Sequence, residues 1–298
     1  MCACPRLAGI ANSSCPLAIP NLTVANGEPL VWGRRTYIMG IINVTPDSFS
    51  GDGLGSDLQA VAQLAVRFQE EGADFLDVGA ESTRPGSETI TVPEELDRLL
   101  PALETVLSSA SLPVSVDTYK SQVARRAVQA GATVINDVWG LKKDREIAAV
   151  AAETGAGLIL MHNQGTTSYR DLVPDVLASL SQSAELALAA GIQKESIILD
   201  PGIGFGKTAD HNLEILNRLL EFETLGYPLL LGTSRKSTIG RVLDLPPDQR
   251  VEGTAATVAL SIAGGADVVR VHDVGQMARV CRMTDAVVRG WRPEGWTR

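Results

Sequence analysis

The sequence is poor in aromatic residues, which make up 4% of its 298 positions. A folded core must therefore rest on Ala, Val, Leu and Ile. Long apolar runs are also missing. The best stretches, such as residues 158–161 and 197–199, are strand-sized and far short of the roughly 18 residues of a membrane span. Positive charge is in deficit: the formal net charge is -9. This argues against non-specific binding to nucleic acid or to an anionic membrane. It also means that any cations holding an anionic ligand must be gathered in one place. Histidine is scarce, and His162, His211 and His272 lack metal-ligand spacing, so a zinc site is not expected. Of the cysteines, Cys2, Cys4 and Cys15 lie in a head containing Pro and Ser, and Cys281 stands alone. They read as reduced, non-catalytic thiols of a cytoplasmic protein. Asn12, Ser13, Ser14 and Pro16 interrupt any secretory h-region.

What the sequence does contain is alternation. Compact apolar runs read as strands buried on both faces: Tyr37–Asn43, Phe75–Gly79, Val114–Asp117, Val134–Asp137, Leu158–Met161, Ile197–Asp200, Leu229–Gly232 and Val268–Val271. Helical patterns lie between and after them: 58–71, 94–109, 120–130, 145–153, 176–190, 213–225, 251–263 and 274–288. Gly72, Gly131, Gly191 and Gly226 follow four of these as C-terminal cap glycines. Eight βα units predict an α/β fold, a (β/α)8 barrel, with a doubly wound open sheet as the alternative. Residues 1–20 read as a flexible head, and 21–298 as one catalytic domain. Asn26-Gly27 marks a hairpin within 21–36 that closes the barrel bottom.

Nearly every strand ends in polar residues, and in a barrel all those ends meet at one mouth. Asp117, Asn136 and Asp200 end strands with their side chains starting near the axis. Buried carboxylates need partners. These suit a ligand rich in N–H donors, such as an aminopyrimidine edge. Helix capping or pairing with a barrel lysine is the open alternative. Lys236, Arg270 and His272, with Arg84 and Arg235 near in sequence, form a cationic group from the quadrant that often binds phosphate. The alternative for them is ordinary surface charge. Ser237-Thr238 would open a helix toward an anion. Asn43 offers a neutral oxygen to Mg²⁺ beside phosphate oxygens. Residues 201–208 look like a nucleotide-binding P-loop, but the run starts with Pro201 and its glycines have the wrong spacing.

Two segments, Ile38-Met39-Gly40-Ile41-Ile42-Asn43-Val44-Thr45-Pro46-Asp47-Ser48-Phe49-Ser50 and Glu81-Ser82-Thr83-Arg84-Pro85-Gly86, resemble the signatures of the dihydropteroate synthase family. Val116-Asp117-Thr118, Ile135-Asn136-Asp137, Met161-His162, residues 200–207, Ser234-Arg235-Lys236-Ser237 and Arg270-Val271-His272-Asp273 follow in the family's order. The resemblance implies condensation of (7,8-dihydropterin-6-yl)methyl diphosphate with 4-aminobenzoate by an SN1-like displacement, in folate biosynthesis. It implies that Asp117, Asn136, Asp200 and Lys236 hold the pterin, and that Thr83, Arg270 and His272 engage the diphosphate. Catalysis would rest on Asp117, Lys236, Arg270 and His272. Asn43 would take Mg²⁺. Asp47, Phe49, Arg84, Pro85 and Ser237 would serve the aminobenzoate. A cytoplasmic homodimer is implied as well, with no nucleic-acid or membrane partner. The family's Asp-Gly-Gly after Ser-Phe-Ser is replaced here by Gly51-Asp52-Gly53-Leu54-Gly55. Two other readings stand beside this one. The first is a methyltetrahydrofolate:corrinoid methyltransferase domain, which should lack the 234–237 segment and the Arg270/His272 pair. The second is a pterin-binding relative without synthase activity.

Overall fold

The computed structural model describes residues 30–45, 57–82 and 88–297. Within them strands and helices alternate: β1 (Tyr37–Asn43), α1 (Leu58–Glu71), β2 (Phe75–Gly79), α2 (Val92–Ser109), β3 (Val114–Asp117), α3 (Ser121–Ala130), β4 (Val134–Asp137), α4 (Glu146–Thr154), β5 (Gly157–Met161) and α5 (Leu172–Ala189). The series continues with β6 (Ile197–Asp200), α6 (Ala209–Asn217), β7 (Leu230–Leu231), α7 (Ser237–Leu243), α8 (Val251–Ala263), β8 (Val268–Val271) and α9 (Val274–Val288).

All strand pairs are parallel, in the order β6-β5-β4-β3-β2-β1-β8-β7. The two ends meet where Leu199 bridges Leu229 and the Leu199 N–H donates to Pro228 O at 2.9 Å. That contact closes a (β/α)8 barrel and removes the open-sheet alternative. Among the described residues no helix is long and apolar enough to cross a membrane.

The strand period of two sorts the side chains. Ile38, Ile42, Leu76, Val78, Val114, Val116, Ile135, Leu158 and Leu160 pack outward against the helices in the larger core cluster. Tyr37, Met39, Phe75, Val134, Ile159, Ile198, Leu230 and Val268 fill the lower barrel interior. Leu30 and Trp32 join that inner cluster, so the described part of segment 21–36 does plug the bottom. Residues 31–36 are turn and loop, not strand, and the rest of the expected hairpin and the head 1–20 lie outside the described residues. Gly40, on the outward face of β1, leaves room for the Phe68 ring of α1, which an added Cβ would meet at 2.6 Å. Burial of such a ring contributes about 1.5–3 kcal/mol.

Most predicted boundaries hold within two residues. Gly72, Gly131, Gly191 and Gly226 do take positive φ after helical segments. Three differences have local causes. α5 begins at Leu172, four residues early, because Pro174 falls in the first turn, where no N–H is needed. The predicted helix 213–225 starts at Ala209 because Thr208 and His211 form a capping box, and it breaks at Arg218 (φ -108°, ψ 18°) into a 3₁₀ stretch, Leu219–Leu225. β7 keeps only Leu230–Leu231.

Candidate active site

Continued upward, the inward parity of each strand turns from apolar to polar. Above Phe75 comes Asp77; above Val134, Asn136; above Ile198, Asp200; above Val268, Arg270. Asp77 is fully buried, and Asp117, Asn136 and Asp200 are nearly so. The upper interior is therefore a compartment of acids and amides enclosed by strands, a setting in which every charge needs a partner.

Arg270 supplies the central one. Its Nε lies 2.6 Å from Asp77 Oδ2, and an Nη lies 2.8 Å from Asp117 Oδ2. Burial opposes its charge, yet the two carboxylates raise its pKa further. Asn136 Nδ2 donates to the same Asp77 Oδ2 at 3.1 Å. Burial pushes the Asp117 carboxyl up to about 7, against the pull of Arg270 and with the repulsion of Asp77. Its Oδ1 is buried and finds no hydrogen-bond partner among the described residues, as is true of Asp77 Oδ1.

Across the barrel, Asp200 Oδ1 accepts the Gly202 N–H at 2.7 Å. Burial raises the Asp200 pKa, and Lys236 and Lys207 work against the rise. Gly202 (φ +75°) must be glycine, since a Cβ would sit 2.0 Å from His162 O. Lys236 donates to Ile203 O, and its Nζ lies 4.6 Å from the Phe205 ring centroid. Burial lowers its pKa to about 8. The preceding residue, Arg235, holds a left-handed backbone (φ +56°), and its guanidinium grips Asp273 at 2.6 and 3.0 Å. Arg250 donates to the Arg235 carbonyl at 2.8 Å, and Arg235 N–H donates to Thr254 Oγ1 at 3.1 Å. These contacts stabilise a conformation that ordinarily costs about 1–3 kcal/mol. Ser234 Oγ lies 2.9 Å from His272 Nδ1.

The structure thus brings Asp117, Asn136, Asp200, Lys236, Arg270 and His272 to one rim. It differs from the sequence expectation in one respect. Arg270 was grouped with the phosphate-side cations, and no pairing with the acids was expected of it. Instead Arg270 sits between Asp77 and Asp117, because two carboxylates enclosed by β-strands require a counter-charge within reach. Asn43 ends β1, half-buried, with Gly79 as its register neighbour. Ser237 is exposed at the first position of α7. Asp47, Phe49, Thr83, Arg84 and Pro85, and the altered 51–55 loop, lie outside the described residues.

Sequence reasoning assigned no role to three features. Asp77 was visible as a lone acid on the inward face of β2. Lys207, the lysine of the P-loop look-alike, turns back to donate to Gly202 O and Phe205 O at 3.0 Å, with its Nζ 2.8 Å from His162 Nδ1. It serves the loop and not a nucleotide phosphate. Burial lowers it to about 7 and, with the Lys207 charge, holds His162 near 2, so the imidazole is neutral. Lys120 clasps Glu81 at 2.5 Å, Glu95 at 2.6 Å and Ile90 O at 2.7 Å, linking both flanks of the second βα loop. No spacing in the sequence announced that clasp.

Known proteins resemble this chain in sequence and in fold. The dihydropteroate synthase of Bacillus subtilis (strain 168) is 51% identical over 259 residues, covering 87% of this chain and 91% of that one. A crystal structure of dihydropteroate synthase from Clostridium difficile in the presence of pteroic acid superposes with TM-score 0.83 at 48% identity, covering 87% of this chain and 98% of the other. The enzyme from Xanthomonas albilineans, solved with 4-aminobenzoic acid, gives TM-score 0.83 at 40% identity, covering 90% and 97%. The model of the pterin binding enzyme family matches residues 39–272, from inside β1 to the histidine at the rim. This chain therefore belongs to the pterin-binding enzyme family.

Proposed function

We propose that the chain is a dihydropteroate synthase: it joins (7,8-dihydropterin-6-yl)methyl diphosphate to 4-aminobenzoate, releasing diphosphate and forming 7,8-dihydropteroate for folate biosynthesis. The observation that carries this reading is the polar upper barrel, in a chain 51% identical over 259 residues to a synthase. Its acceptors suit one face of a pterin. Among the described residues, none donates to the second carboxylate oxygen of Asp200 or to Asp117 Oδ1. Asn136 turns its amide nitrogen to Asp77, which leaves Oδ1 for the ligand. The edge of an aminopyrimidine ring supplies the matching N–H groups. Lys236, beside Phe205, faces the oxygen side of the ring.

Chemistry needs no protein nucleophile. The methylene–oxygen bond breaks with its electron pair leaving on diphosphate. The pterin ring delocalises the resulting cation, and the arylamine lone pair forms the new C–N bond before a proton departs to solvent. Arg270 and His272, with Thr83, are assigned to the departing diphosphate, whose charge grows in the transition state. An ionised Asp117 next to the ring steadies the cation. Ser237 is assigned to the aminobenzoate carboxylate, and Asp47, Phe49, Arg84 and Pro85 to the loops around that substrate.

Magnesium belongs to the same proposal. Among the described residues no cluster of three His, Cys, Asp or Glu side chains is placed to cage a metal. Asn43 offers a single neutral oxygen, a donor set suited to an ion that arrives with phosphate oxygens and water. Such an ion would neutralise leaving-group charge. Purified protein given both substrates and Mg²⁺ is expected to release diphosphate only when aminobenzoate is present, and to lose that release with EDTA. Pterin binding without turnover would make it a non-enzymatic relative. The corrinoid methyltransferase reading is disfavoured, because Ser234 and His272, which it should lack, touch at 2.9 Å.

Cytoplasmic residence and a homodimer complete the proposal. Adjacent helices α6, α7 and α8 expose Leu213, Val242, Leu243 and Leu260 at 43–61%. A second copy would cover that apolar surface. Light scattering after gel filtration is expected to give twice the chain mass for the native protein, and one chain mass for Leu260→Glu. A native monomer at micromolar concentration would remove the dimer.

A further inference from the structure

Asp77 lies deeper than the groups assigned to the ligand. It is fully buried on the inner face of β2, one layer above Phe75. A single atom, its Oδ2, accepts from Arg270 Nε at 2.6 Å and from Asn136 Nδ2 at 3.1 Å. Arg270 also donates to Asp117 Oδ2 at 2.8 Å. Asn136 and Arg270 directly, and Asp117 through Arg270, are thus linked from three other strands to one buried carboxylate.

A carboxylate only accepts hydrogen bonds, whereas a carboxamide has two unlike ends. Without Asp77 the Asn136 amide has two orientations of similar energy. With Asp77 the nitrogen must point down, and the oxygen is left for the mouth. We propose that Asp77 is a positioning residue that fixes Asn136 with its oxygen toward the pterin and divides the Arg270 guanidinium between two carboxylates. This rests on the synthase reading, since it takes Asn136 and Asp117 to contact the pterin. Asp77 itself does not touch the ligand.

The two effects separate experimentally. Orientation is set by the acceptor at Oδ2, which asparagine retains. Electrostatics is set by the charge, which asparagine lacks. Several groups face Asp117: Asp77 from β2, Arg270 from β8, Glu95 from α2, Asp137 from β4 and Lys236 from the turn after β7. Removing the Asp77 charge takes away a repulsion and gives all of Arg270 to Asp117. Both changes lower the Asp117 pKa from about 7. If Asp117 works ionised, the acid limb of kcat/KM then moves to lower pH.

The test is pterin diphosphate affinity and the pH profile of kcat/KM for native protein, Asp77→Ala and Asp77→Asn. Native turnover is measured first, so that failure of the synthase reading shows there and not in the variants. Asp77→Ala is expected to weaken binding roughly tenfold or more and to shift the acid limb down. Asp77→Asn is expected to bind within about threefold of native protein and to keep the shifted limb. A folded Asp77→Ala with native affinity and a native pH profile overturns the proposal, as does an Asp77→Asn that binds as weakly as Asp77→Ala. If neither variant folds, Asn136→Asp decides. It sets a second carboxylate against Asp77, so its affinity relative to native protein must rise as pH falls and the introduced carboxyl takes up a proton. A ratio independent of pH overturns the proposal.

Discussion

Replacing Arg270 with alanine is expected to destabilise the fold by about 3–5 kcal/mol and to lower kcat by on the order of 10²–10³. The stability loss follows from what remains. Asp77 and Asp117 side chains are 0% and 8% exposed, and each lies within 2.8 Å of the guanidinium. Without it, two enclosed carboxylates face each other with no counter-charge. Asp117, which burial already pushes up to about 7 against the pull of Arg270, then rises further above its value in the unfolded chain. A group that binds its proton more tightly when folded favours folding as pH falls through its folded pKa. Denaturant unfolding should therefore show the gap between native protein and variant narrowing from pH 8 to pH 5. A gap of equal size at both pH values would mean lost packing and not uncompensated charge. The turnover loss has a separate cause, because diphosphate charge is greatest as its bond breaks. A variant whose kcat stays within threefold of native would remove Arg270 from the leaving-group side.

That dual character of Arg270 shows which parts of the molecule were legible in the sequence. Eight strands were readable because buried parallel strands are short apolar runs, and because Gly72, Gly131, Gly191 and Gly226 mark the ends of helical segments. The rim was readable because polar residues ended or followed nearly every run. Pairing was not readable. Arg270 and Asp77 are 193 positions apart, and nothing in either neighbourhood says that they meet. Only the pairing of β1 with both β2 and β8 in the curved sheet brings them within 2.6 Å. Grouping Arg270 with Lys236 and His272 treated charge as a sequence-local property. Lys207 was hidden differently: in a glycine-rich loop it looks like a phosphate ligand, and only the positive φ of Gly202, Gly204 and Gly206 folds the loop so that the amine points back. Lys120 could not be found at all, since Glu81 and Glu95 reach it from another βα unit.

Asp200→Ala should weaken binding of the pterin substrate by about 3 kcal/mol, roughly a hundredfold. The figure combines a charge-assisted hydrogen bond with the unsatisfied N–H edge left on the ligand. The geometry adds a complication, because Asp200 Oδ1 also holds the Gly202 N–H at 2.7 Å. That turn carries Ile203, whose carbonyl receives Lys236, so alanine at 200 could act through the loop alone. Asp200→Asn separates the two contributions. Its carbonyl oxygen can still accept from Gly202, which preserves the turn, but its amide nitrogen would meet the ring as donor against donor. If Asp200 reads the pterin directly, asparagine binds the pterin at least as poorly as alanine, while its thermal unfolding stays near that of the native protein. If Asp200 only supports the loop, asparagine restores native affinity, and recognition of the ring must then rest on Asp117 and Asn136. Titration calorimetry with the pterin diphosphate, on both variants at one pH, distinguishes these outcomes, because the two substitutions differ in the ligand-facing atom and share the atom that faces Gly202.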